Sequence, residues 1–112
     1  MINVETIHRL AGRDRIAFKR HTVFRMHQRK IFADEVKAML LKCELIEDYP
    51  DDYPLPSGLV FGYTKQNRPI HAVAALGEDA EMIWLITVYE PTLEEWENGF
   101  KKRRIKDEMP AV

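Results

Sequence analysis

His21, Arg25 and Arg29 stand at i, i+4 and i+8, so a helix from His21 to Lys30 aligns one imidazole and two guanidiniums along one side. Arginine offers a planar fork to phosphate oxygens, and imidazole exchanges protons near neutral pH. Such a strip, extended by Lys30, fits a phosphate backbone. It is equally the solvated face that any amphipathic helix carries, and residue types alone do not separate the two readings.

Two further residues belong to this chemistry. His71 alternates with Val73 and Ala75, so it shares a strand face with apolar neighbours and needs a partner or a cleft. Tyr89 closes a long apolar strand just before Glu90-Pro91. Either can be a working group or a satisfied core residue. His27 falls among Val23, Phe24 and Ile31 and reads as a buried, hydrogen-bonded side chain, whereas His8 reads as exposed. The run Lys101-Lys102-Arg103-Arg104 can grip nucleic acid, but it also suits a helix C-terminus. His21 and His27 are six apart with no carboxylate at ligand spacing, so neither a metal nor a cofactor is expected.

The elements that position these groups follow from periodicity. Val4, Ile7, Leu10 and Ala11 mark a short helix ending near Gly12, and Ile16-Ala17-Phe18 an extended link. In the helix from His21, Val23, Phe24, His27 and Ile31 form the apolar side, and His21, Arg25, Gln28 and Arg29 the polar one. A third helix carries Asp34 and Glu35 in its first turn, buries Val36, Met39 and Leu40, and ends near Lys42. Strands are expected at Glu44–Tyr49, Leu59–Tyr63, Pro69–Ala75 and Met82–Tyr89, with a proline-rich loop after the first and a short connection at Lys65–Arg68. Thr92 and Glu95 have capping-box spacing and announce a last helix burying Leu93, Trp96 and Phe100. The expected fold is α+β: N-terminal helices, a three- to four-stranded antiparallel meander, and a C-terminal helix.

The totals agree with one domain spanning residues 1–112, with 46% apolar and 31% charged residues. No apolar run approaches the roughly 20 residues of a membrane helix, and no secretory signal is visible. The lone Cys43 excludes an internal disulfide and a cysteine zinc site; a cytoplasmic, bacterial setting is expected. The net charge of −1 conceals a division. Residues 1–31 hold eight Lys/Arg against two acidic residues, residues 32–99 four against fourteen, and residues 100–112 five against two.

The ordered segments His21…Arg25…Arg29-Lys30-Ile31, Glu35-Val36, Ile46–Pro50, Pro69–Val73, Ile86–Pro91 and Trp96 resemble the bacterial domain of unknown function 4258 (DUF4258), over about residues 18–104. Thr22 stands where that family usually has a small residue, and Ala33 where a capping Ser or Thr is common. The family is in turn similar to RelE/BrnT-type toxins, metal-independent endoribonucleases neutralised by an antitoxin. The resemblance therefore implies the toxin component of a bacterial toxin–antitoxin pair, with RNA as substrate and an antitoxin protein as partner. In that chemistry the 2′-hydroxyl attacks the adjacent phosphate, which requires a base, an acid and a cation. His21 and His71 are the candidates for proton transfer and Tyr89 for orientation. Arg25, Arg29, Lys30, Arg103 and Arg104 are the candidates for the phosphates. The alternatives are a non-catalytic RNA- or protein-binding module working through the same face, and a scaffold that docks a basic partner or forms a homodimer.

Overall fold

In the computed structural model, which describes residues 1–105, the first helix opens on Asn3. Its side chain accepts hydrogen bonds from the backbone N–H groups of Glu5 (2.9 Å) and Thr6 (3.2 Å). Helix α1 (Val4–Gly12) buries Ile7, Leu10 and Ala11. Strand β1 (Ile16–Phe18) leads into α2 (Arg20–Arg29), which ends as Lys30 turns left-handed at φ 56°. Helix α3 (Ala33–Leu40) starts where the Glu35 carboxylate accepts the Phe32 N–H at 3.0 Å, half of a capping box. Four strands follow: β2 (Glu44–Tyr49), β3 (Ser57–Tyr63), β4 (Pro69–Leu76) and β5 (Ile83–Tyr89). Residues 106–112 of the expected domain lie outside the described residues.

The α+β class is as expected, but the sheet is mixed and five-stranded, in the order β1-β5-β4-β3-β2. The antiparallel meander comprises β2 to β5. The extended link at Ile16–Phe18 supplies the added strand, pairing in parallel with Ile83, Trp84 and Leu85 of β5. Its partner is so distant in sequence that local pattern could not announce the pairing.

One face of the sheet carries Val60, Ile70, Ala72, Ala74, Ile83, Leu85 and Val88 into a core shared with all three helices. Gly62 of β3 lets α3 approach closely, since a Cβ there would stand 2.6 Å from the Met39 carbonyl oxygen. The alternate residues Leu59, Phe61, His71 and Ala75 are also buried, yet stand apart from that core, on the opposite face. Trp96 and Phe100 from the C-terminal segment pack over that second face.

The expected C-terminal helix does not form. The N–H groups of Glu95 and Trp96 both donate to the Thr92 carbonyl (3.2 and 3.0 Å), one turn only. The chain then reverses through Gly99 (φ 94°) and Phe100 (φ 61°) so that Trp96 bridges Arg103 in antiparallel sense. Leu93 remains half-exposed. Residues 92–105 are therefore a strap. The sheet's second face needs cover, and Trp96 and Phe100 reach it better from an open turn than from one helix stripe.

Helix α2 is also rotated relative to expectation. Thr22 and Met26 are buried, while Val23 (51% exposed), Phe24 (60%) and His27 face outward. The cause is β1, which stops opposite Leu85 and leaves later β5 carbonyls without a strand neighbour on that side. The Thr22 hydroxyl reaches the carbonyls of Leu85 (3.0 Å) and Ile86 (2.8 Å), and Arg29 donates to that of Val88 (2.7 Å). Buried carbonyls demand donors, so Thr22 faces inward and Arg29 reaches in from the surface, where a hydrophobic count would place valine and phenylalanine.

Candidate functional site

His71 and Tyr89 are directly opposed across β4 and β5. His71 is fully buried. Its Nε2 lies 2.8 Å from the Phe100 carbonyl oxygen, which can only accept, so Nε2 carries the proton. Nδ1 then accepts from the Tyr89 hydroxyl at 3.1 Å. Trp96 stands edge-on to the imidazole at 4.4 Å between centroids, and Phe61 and Tyr89 close the cage. Burial lowers the His71 pKa, against the Phe100 carbonyl and Glu47, which raise it. Burial likewise pushes the Tyr89 hydroxyl up to about 12. Neutral, and with both nitrogens engaged, His71 ties the strap to the sheet.

The C-terminal cations are spoken for. Arg103 makes a bidentate pair with Glu47 (2.7 and 3.0 Å) and lies over the Trp96 ring at 4.7 Å. That pairing, with a hydrogen bond from Tyr49, holds the Glu47 carboxyl below its ordinary range. Lys101 pairs with Glu44 at 2.8 Å, Lys102 with Glu97 at 3.9 Å, and Arg104 donates to the Leu93 carbonyl. A shallow cleft of about 390 Å³ lies beside Tyr89, Pro91, Thr92, Glu95, Trp96 and Arg103. Of the expected phosphate ligands, Arg103 and Arg104 thus hold the strap.

Arg68, placed by the sequence only in the Lys65–Arg68 connection, is the one arginine of the acidic stretch 32–99. Its guanidinium donates to the carbonyls of Arg29 (3.2 Å) and Lys30 (2.8 Å), caps the end of α2, and pairs with Glu35 (3.3 Å) and Glu90. It fixes α2, α3 and the end of β5 to one another.

The N-terminal cations differ. Among the described residues, none of Arg9, Arg13, Arg15, Lys19, Arg20, Arg25, Arg29 or Lys30 forms an ion pair. Arg15 and Arg29 donate to the carbonyls of Glu81 and Val88, and Arg25 approaches Gln28 at 3.5 Å. His21, Arg25 and Arg29 are all exposed on α2, so the expected strip exists, with the Arg29 guanidinium also tied to the Val88 carbonyl. Helix α2 packs on the helix-covered side of the sheet, whereas His71 and Tyr89 occupy the strap-covered side. His21 is therefore not brought together with His71.

This order of elements, from Phe18 through α2, α3 and the meander to Glu90, coincides with the match to one family model, the domain of unknown function DUF4258, over residues 18–90. The chain belongs to the DUF4258 family. The DUF4258 match takes in α2, Arg68, His71 and Tyr89, while the strap lies beyond it. Neither curated proteins nor solved structures gave a match. No helix among the described residues is long and apolar enough to cross a membrane, and no group of three or more His, Cys, Asp or Glu among them could hold a metal ion.

Proposed function

We propose that this DUF4258 chain is a cytoplasmic RNA-binding protein whose contact surface is the outer side of α2. The observation that carries this reading is charge without compensation. Residues 15–33 hold six Lys/Arg and no carboxylate, and none of the six is ion-paired within the described residues. Surface cations of monomeric domains are usually interspersed with carboxylates, and a one-sign helix is the electrostatic footprint of a polyanion. Fluorescence anisotropy with a labelled RNA across a salt series tests it. Binding should weaken along a linear log–log slope of about −0.7 for each single-strand phosphate contacted. An absence of binding at low salt, or affinity that ignores salt, removes the reading.

A second reading adds cleavage, as expected of the toxin component of a toxin–antitoxin pair acting as a metal-independent endoribonuclease. What favours it is the exposed His21 one helical turn before Arg25, an imidazole beside a phosphate-binding cation. In this reading His21 moves the proton, Arg25 holds the phosphate, and an antitoxin covers the same face. Incubation of RNA with wild type and His21→Ala in the presence of a chelator decides it. Products from the wild type that the variant fails to generate support the enzyme; intact RNA with undiminished binding leaves the binding module.

A further inference from the structure

Between α2, α3 and β1 lies a groove of about 200 Å³, formed where Val23 and His27, expected on the buried side of α2, face outward. Its floor is Met26 and Ile31, both nearly inaccessible, and its walls are Phe18, Val23, Phe32 and His27. Phe32 is 63% exposed and Val23 51% exposed, so these walls stand free. His27 is the sole polar side chain of the lining, and no described residue hydrogen-bonds its ring. The flanking charged residues are all cationic, Lys19 half-buried and Arg20 and Lys30 exposed; Asp34 follows only after Ala33, and Asp14 is taken up by Lys37 at 2.6 Å.

We infer that this groove is a nucleobase subsite, which makes the ligand of α2 a single-stranded RNA with an unpaired base in the groove. This rests on the RNA-binding reading above and sharpens it. At about 200 Å³ the groove is smaller than the roughly 300–1,000 Å³ pockets of drug-sized ligands and is on the scale of one ring system. Apolar walls take the faces of a base, Phe32 offers a stacking partner, and His27 offers one hydrogen bond to a base edge. The cations around the mouth meet the phosphates on either side. A duplex keeps its bases stacked and has none to offer, whereas single-strand readers join a basic track to an aromatic platform. An acidic protein helix would need anchors at successive turns along a longer groove.

The test compares a short labelled single-stranded RNA with the same strand annealed to its complement, using the full chain. Wild type should prefer the single strand by at least about fivefold, and Phe32→Ala and Val23→Ser should each erode single-strand affinity by about five- to a hundredfold. The duplex affinity and the slope against salt should not move, and Phe32→Trp should retain binding. Both truncated residues are largely exposed, so circular dichroism should confirm an unchanged fold. Equal affinity for single strand and duplex overturns the subsite, as do variants that bind the single strand like wild type; in both cases RNA binding itself stands. Loss of self-association or of acidic-peptide binding in Phe32→Ala, with RNA affinity intact, assigns the groove to a protein and also overturns the subsite. Binding to neither RNA form refutes the reading beneath it.

Discussion

The two basic ends of this chain look alike in sequence and behave oppositely in the fold. Lys101 to Arg104 lie against acidic residues of β2 and the strap, or on a carbonyl, so their charge is answered within the molecule. Arg20 and Arg25 meet no carboxylate among the described residues. A formal charge thus becomes a binding determinant only where the fold withholds an internal counter-charge. The acidic middle is what separates the two cases, because it is consumed at one end and absent from the other.

Removing the strap's anchor should have the largest effect. His71→Ala should cost about 2–4 kcal/mol in urea unfolding, since it opens a cavity and leaves the Phe100 carbonyl and Tyr89 hydroxyl unpaired. RNA affinity of the folded variant should be unchanged. The converse experiment is charge reversal on α2: Arg20→Glu with Arg25→Glu should lower RNA affinity by at least about tenfold and flatten the log–log salt slope by roughly 1.4, with stability little altered. Lys101→Ala with Lys102→Ala, the matched change at the other end, should leave affinity within about twofold.

A smaller effect attends Arg103→Ala. The pair with Glu47 is bidentate and the guanidinium covers Trp96, but the arginine side chain is 55% exposed. A loss of about 1 kcal/mol is expected in thermal or urea unfolding. The finest probe is pH. The folded-state pKa of His71 is below the ordinary 6.5, so the unfolded chain takes the proton first and stability should decline as pH falls below about 6.5. Glu47 is held below its ordinary 4.5, so the stability from its pairing is present above that value and lost as pH falls further. Urea midpoints against pH should show two acid steps, the upper absent in His71→Phe and the lower in Arg103→Ala.

The three helices and strands β2 to β5 were legible from periodicity and turn residues, because those signals are local, whereas Ile16–Phe18 read only as an extended link. Three features were not. The parallel pairing of Ile16–Phe18 depends on a strand more than sixty residues later. The orientation of α2 depends on β5 carbonyls that need Thr22 and Arg29, a demand absent from the helix's own pattern. The strap depends on two residues with positive φ and on aromatic residues recruited by a buried histidine. For the candidate site, His21 and Arg25 were visible as a strip. The groove beside them was not, since it exists only because Val23 and Phe32 face outward.

The short parallel strand has one more consequence, in the order of assembly. Residues 16–18 leave the ribosome well before residues 83–85, so the N-terminal edge of the sheet cannot form until β5 has been made. Helix α2 waits for the same strand, whose carbonyls hold Thr22 and Arg29. During synthesis the most cationic helix of the molecule thus cannot seat until β5 is made, and a nascent chain ending before Ile83 carries that helix without its seat.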